Sequence, residues 1–170
     1  IVFGSLALRS RVNQSALDRI MEVLPKNALR VFDVNLRAPH DDLELVKNRA
    51  KKCDLLKLNS EETARIVLNT VEEQPDSEEA MARTLAQEYG CAMVCITAGS
   101  RGAGLLANDE WFWEPGQSVE VQDTVGCGDA FLARLLSHLL HNKLPPQQSL
   151  ASACRHGEWV AGKTGATPSY

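Results

Sequence analysis

Short apolar runs along the chain alternate with longer stretches in which apolar residues recur every three or four positions. That alternation predicts strands separated by amphipathic helices, the βαβ pattern of a parallel sheet with helices on its faces. Ile1–Phe3, Arg30–Val34, Leu55–Leu58 and Ala92–Thr97 read as strands. Between the first two, Leu17, Ile20, Met21 and Leu24 repeat at helical spacing, and Pro25 with Asn27 ends the pattern. Asp41 or Asp42 can cap a helix that turns Leu43, Val46 and Ala50 toward a core. Asn59 and Glu62 have capping-box spacing, and Ala64 through Leu68 continues that helix. Asp76 or Ser77 starts a further helix through Met81 and Leu85, which stops at Gly90.

Past Thr97 the rhythm changes. Ala103–Ala107 and Glu110–Glu114 flank Asn108-Asp109 and predict a hairpin, with another strand near Val119–Val121. A glycine-rich turn then leads into a long apolar helix from Ala130 to about His141. Pro145-Pro146 breaks the chain, and a last helix runs from about Gln147 to Ala161. No repeat, low-complexity tract or linker interrupts the sequence, so residues 1–170 are expected to form a single α/β domain.

Composition narrows the function. The hydrophobic fraction of 44% can supply a core, and the net charge of -4 argues against a nucleic-acid partner. No apolar run approaches the roughly 20 residues that span a bilayer, and no signal peptide is legible. Five cysteines without a CxxC pair suit reduced thiols in a cytoplasmic protein. Ile1-Val2-Phe3 reads as a strand already in progress, so N-terminal neighbours are expected upstream.

The richest stretch is Asp123-Thr124-Val125-Gly126-Cys127-Gly128-Asp129-Ala130-Phe131. Two glycines around a small residue let the backbone turn sharply and bring several N–H groups together. The helix behind them adds its unpaired first-turn amides and partial positive charge, which makes a site for a phosphoryl group. Asp129 stands at the rim of that site, where a carboxylate base suits phosphoryl transfer to an alcohol. The structural alternative is that Asp123 and Asp129 merely serve the turn and the helix cap.

The nine-residue string resembles the D-T-x-G-x-G-D-x-F signature of the ribokinase-like (PfkB) carbohydrate kinases at every specified position. The resemblance implies that Asp129 deprotonates the sugar hydroxyl and that Gly126, Cys127 and Gly128 form the anion hole. Cys127 stands where alanine is usual, a small-for-small change. Two other glycine patterns are decoys. Gly126-Cys127-Gly128 opens like a dinucleotide fingerprint, but Phe131 occupies the third glycine position. Gly157 to Thr164 matches the letters of a Walker A loop, yet an apolar helical stretch precedes it where a strand is required.

Further segments extend the resemblance. Thr97-Ala98-Gly99-Ser100-Arg101-Gly102 is similar to the family's T-x-G-x-x-G nucleotide loop, which implies ATP contacts from Thr97, Gly99, Ser100 and Gly102. Asn59-Ser60-Glu61-Glu62 is similar to the N-x-x-E element that organises Mg²⁺ and phosphate, with Glu62 acting through water. A purely structural capping box is the alternative for Asn59 and Glu62, and both readings can hold together. Asp33-Val34-Asn35-Leu36-Arg37 resembles the fructokinase and ketodeoxygluconate-kinase branch, which implies that Asn35 and Arg37 line the substrate cleft. The alternative there is an ion pair between Asp33 and Arg37. The tail through Ser169 resembles the segment that closes a monovalent-cation site, with Asp123, Val125 and Ser169 as ligands for K⁺.

The rest reads as structural. His138 and His141 lack a third metal ligand, Trp111 and Trp113 share one strand face, and Cys91 and Cys95 are small core residues.

The resemblance covers the whole chain but only the later half of a typical member, without the early sugar-binding motif and the β-sheet lid. What it implies is a three-layer αβα fold with a mostly parallel sheet, its N-terminal part and lid missing. The implied activity is ATP-dependent phosphorylation of a sugar, fructokinase-like, with Mg²⁺ and a homodimer in the full-length protein. Phosphorylation of 2-keto-3-deoxygluconate or a nucleoside stays open, as does a non-catalytic nucleotide-binding remnant.

Overall fold

The structure, a computed structural model, describes residues 1–68 and 77–169. The chain gathers into two compact units, residues 1–96 and 97–170.

In the first unit the strands β1 (Val2–Gly4), β2 (Val31–Asp33), β3 (Leu55–Asn59) and β4 (Met93–Thr97, its last residue opening the second unit) lie in chain order. β1 pairs with β2 and β2 with β3 in parallel, Val31 facing Val2 on one side and Leu55 on the other. Every residue of β2 and all of β3 except Asn59 are buried, as expected of strands covered on both faces. Phe3 and Phe32 stack at 4.9 Å across the β1–β2 pair. Phe32, Leu55, Leu56, Leu58, Ile66, Leu85 and Ile96 form the core, each worth roughly 1.5–3 kcal/mol of burial.

The connecting helices are α1 (Arg11–Val23), α2 (Leu43–Ala50), α3 (Ser60–Leu68) and α4 (Glu78–Tyr89). Asp42 is the α2 cap, accepting from the Leu45 amide at 3.0 Å, whereas Asp41 pairs with Arg65. Ser77 caps α4 and left-handed Gly90 ends it, while the alternative cap Asp76 lies outside the described residues. The apolar face expected of α1 is only partly buried. Leu17 is covered, but Ile20 is 44% exposed and Met21 and Leu24 are half-buried.

In the second unit β5 (Gly102–Ala107) and β6 (Glu110–Pro115) form the expected antiparallel hairpin. Asn108 and Asp109 both have positive φ, 53° and 64°, the turn that follows strand twist best. The strand expected near Val119–Val121 does not form. Residues 116–123 are irregular, and the ends of the stretch are tied elsewhere: the Gln117 amide donates to the Glu158 carboxylate, and the Gln122 amide to the Ala161 carbonyl. The helix expected from Ala130 to His141 begins earlier, at Cys127, as α5 (Cys127–Leu136), and loosens into a π-helical stretch over Ser137–Asn142. The final helix α6 (Pro146–Ala161) opens on a proline, whose missing N–H costs nothing in a first turn. α6 packs on α5 through Gly157, where a Cβ would come within 3.3 Å of the Cys127 carbonyl oxygen. Gly157 to Ala161 being helical, the Walker A letters there form no phosphate loop.

The parallel pairs β1–β2 and β2–β3, with the antiparallel β5–β6 hairpin, make a mostly parallel mixed arrangement, the α/β class expected.

Candidate functional site

Two clusters carry the chemistry, one in each unit. In the first unit the carboxyl ends of β2 and β3 bring together Asp33, Asn35, Arg37, Asn59 and Glu62. Asn59 and Glu62 form a reciprocal capping box: the Glu62 amide donates to Asn59 Oδ1 at 2.8 Å and the Asn59 amide to Glu62 Oε2 at 3.0 Å. Glu62 Oε1 accepts from the Leu36 amide at 2.7 Å. This buried carboxylate therefore ties the segment leaving β2 to the start of α3. A metal ion reaching Glu62 would meet oxygens already accepting from the backbone, which suits contact through water rather than direct ligation.

Asn35 adopts φ 45°, a left-handed conformation that asparagine tolerates better than most residues. Its carbonyl accepts from the hydroxyl of buried Ser5 at 3.2 Å. Arg37 is exposed, with one guanidinium N–H donating to the Leu36 carbonyl. The ion pair weighed between Asp33 and Arg37 is absent. Asp33 instead binds Lys57 Nζ through both oxygens, at 2.9 and 3.1 Å, because the β2–β3 register sets the two residues side by side. Both are nearly buried, so the charges neutralise each other inside the sheet. Sequence reasoning missed Lys57. The signal was there, since a lysine inside Leu55-Leu56-Lys57-Leu58 requires a buried counter-charge.

The second cluster has two parts. The segment Thr97–Gly102 leaves β4 through a short 3₁₀ turn over Gly99–Arg101, with Ser100 exposed. Gly99 and Gly102 take positive φ, 57° and 119°. The Ala98 amide donates to the Gly102 carbonyl at 2.8 Å, which closes the turn. A Cβ on Gly102 would fall 2.0 Å from the Glu114 carbonyl oxygen, so only glycine fits against β6.

The other part is the turn into α5. Gly126 is the helix N-cap at φ 83°, and Cys127, Gly128 and Asp129 form the first turn. A Cβ on Gly126 would lie 2.5 Å from the Ala166 carbonyl oxygen. The Cys127 amide bends back toward the Thr124 carbonyl at 3.4 Å and the Ala130 amide bonds to Gly126. Among the described residues, the amides of Gly126, Gly128 and Asp129 have no acceptor in the chain, and no hydrogen bond or ion pair engages the exposed Asp129 carboxylate. Open amides at a helix start can receive an anion, and a free carboxylate beside them can take a proton. Burial, helped by the Asp123 carboxylate, pushes the Cys127 thiol above its ordinary value, so it remains a neutral thiol there.

Asp123 holds the turn together. Its Oδ1 accepts from the Val125 amide at 3.0 Å and its Oδ2 from the Gly165 amide at 3.2 Å. The tail past α6 is thus tied to the turn through Gly165. Ser169 is exposed.

An α/β chain with a phosphate-type helix start and an adjoining carboxylate is thereby defined. The family profile for pfkB family carbohydrate kinases matches residues 1–170. A fructokinase of Rhizobium leguminosarum bv. trifolii is 33% identical over 107 residues, covering 63% of this chain and 31% of its own length. The crystal structure of aminoimidazole riboside kinase from Salmonella enterica, complexed with aminoimidazole riboside and an ATP analogue, superposes with a TM-score of 0.76 at 26% identity. That match covers 97% of this chain and 57% of the other. A Vibrio cholerae O395 fructokinase bound to fructose, ADP and calcium shares the fold, with a TM-score of 0.81 at 22% identity and coverage of 97% and 55%. The chain belongs to the pfkB family of carbohydrate kinases. It spans about half or less of the length of these relatives.

Proposed function

We propose that residues 1–170 supply the nucleotide-binding and catalytic half of an ATP-dependent carbohydrate kinase, a cytoplasmic enzyme of fructokinase-like specificity. One observation carries this reading: the exposed, unpartnered Asp129 carboxylate stands at the start of α5 beside the open amides of Gly126, Gly128 and Asp129. Asp129 takes the proton of a primary hydroxyl as that oxygen attacks the γ-phosphorus of ATP. The new oxygen–phosphorus bond forms as the bond to the ADP oxygen breaks, and the amides face the charge that gathers on the transferred group. The amide of Cys127, turned toward Thr124, contributes less than its neighbours.

Thr97, Gly99, Ser100 and Gly102 hold the nucleotide phosphates, and Asn35 and Arg37 line the acceptor side, Arg37 facing an anionic group. Mg²⁺ accompanying ATP neutralises phosphate charge when bound, and the all-oxygen set of Asn59 and Glu62 suits that hard cation through water. Asp123, the Val125 carbonyl and Ser169 offer oxygen ligands for K⁺. The tie between Asp123 and the tail supports a site there, because it brings the tail to the turn.

The relatives named for fructose and for aminoimidazole riboside support two acceptor classes, sugars and nucleosides. Full-length protein should be offered ketoses, aldoses, 2-keto-3-deoxy acids and nucleosides with MgATP, and ADP release measured. Phosphorylation of a ketose in preference to the others is the expected result. Preference for a nucleoside or keto-deoxy acid would move the specificity within the family. ATP binding without transfer to any acceptor would leave a nucleotide-binding remnant in place of the kinase.

A further inference from the structure

The proposed chemistry leaves unused one pair of reactive groups in the first unit. Cys53 follows α2 and enters β3, and Cys91 follows Gly90 at the end of α4 and leads into β4. Their sulfurs lie 3.6 Å apart, and both point at the carbonyl of Ala50, at 3.2 and 3.4 Å. We propose that Cys53 and Cys91 form a redox-modification site, a dithiol that low-molecular-weight disulfides convert to an intramolecular disulfide.

The geometry supports closure. The Met93 amide donates to the Asp54 carbonyl at 2.9 Å, which fixes the entries to β3 and β4 side by side. Neighbouring strands run about 4.8 Å apart, inside the roughly 4.4–6.8 Å window of Cα separations that disulfides span. Closing the bond brings the sulfurs from 3.6 Å to the bonded distance of about 2.05 Å. The thiols are 5% and 6% exposed, but Lys52, Gly90 and Ala92 beside them are exposed, so the pair sits just under the surface. Cys95 is fully buried inside β4.

The chemistry starts at Cys91. The two thiols share a hydrogen bond in which either can donate, and that bond favours the thiolate of one partner, lowering Cys91 and raising Cys53. The Cys91 thiolate attacks one sulfur of the reagent disulfide and expels the first reagent thiolate. Cys53 then gives its proton to the expelled reagent thiolate, and its own thiolate attacks the Cys91 sulfur of the mixed disulfide. The second reagent thiol leaves. Overall, two protein thiols are oxidised and one reagent disulfide is reduced to two thiols. The bond lies at the entry ends of β3 and β4, away from Asn59 and Glu62, so it staples the unit without touching that cluster.

Native protein incubated with oxidised glutathione, then alkylated and digested with trypsin, provides the test. The expected product is a cross-link between residues 53–57 and 84–101, lighter by two hydrogens and reversed by dithiothreitol. Cys95 lies on the same tryptic peptide as Cys91, so fragment spectra must assign the bond to Cys91. Cys53→Ser and Cys91→Ser should each abolish the cross-link, and Cys95→Ser should retain it. The oxidised protein should melt about 5–10 °C higher, as expected for closing a loop of this length. Glutathione adducts without the cross-link, a bond assigned to Cys95, or cross-linking only in urea would each overturn the proposal.

Discussion

The two clusters treat their polar groups in opposite ways. At the carboxyl ends of β2 and β3 the Glu62 oxygens each accept a backbone amide, and Asp33 is neutralised by Lys57. At the start of α5 three amides and the Asp129 carboxylate have no partner in the chain among the described residues. A buried polar group without a partner costs about 1–3 kcal/mol, so the first cluster can only be buried because it is closed. The second lies at the surface, where solvent can satisfy its groups. Closed networks hold a shape, whereas open groups on a fixed frame bind.

Breaking the closed side should have the largest effect. Lys57→Met strips the buried Asp33 carboxylate of its ammonium counter-charge and should cost about 3–5 kcal/mol in urea unfolding. Adding Asp33→Leu should recover most of that loss. A small change in the single variant would mean that the pair is not sealed from water.

The open side should respond in rate rather than stability. In the full-length protein Asp129→Asn should lower kcat at least about 100-fold, with little change in ATP affinity or Tm. Weaker ATP binding with turnover retained would move Asp129 from chemistry to binding.

Gly126→Ala tests what holds the open turn in place. Its Cβ would meet the Ala166 carbonyl at 2.5 Å in a backbone with φ 83°, so a loss of about 1–3 kcal/mol is expected. ATP affinity should fall with it, because the amides around Gly128 shift. Unchanged binding by calorimetry would separate the turn from the nucleotide.

The smallest effect lies at the surface of the closed unit. The hydrogen bonds of Arg30 hold the Asp54 carboxyl below its ordinary value. Its contribution is therefore present above about pH 4 and is lost as pH falls through the lowered value. The gap in stability between the native protein and Asp54→Asn should be at most about 1 kcal/mol at pH 7 and shrink toward pH 3. A gap that widens in acid would reverse the assignment.

Local features were legible in the sequence because neighbouring residues decide them. Asn108-Asp109 encodes its own turn, Asn59 and Glu62 their reciprocal cap, and Ser77 and Gly90 the two ends of α4. The turn into α5 was equally readable, since two glycines before an apolar helix describe a backbone that few other structures accept.

What only the tertiary structure decided were the partners of groups that could have bonded in several ways. Asp33 had Arg37 four residues away, yet strand register gave it Lys57, from a different strand. Residues 119–121 had the composition of a strand, but Gln122 and Asp123 beside them bond to the Ala161 carbonyl. Cys53 and Cys91 met because two strands pair, although 38 positions separate them. A short-range pattern fixes φ, ψ and capping, while long-range pairing depends on which elements pack together, and that is settled only when the core closes.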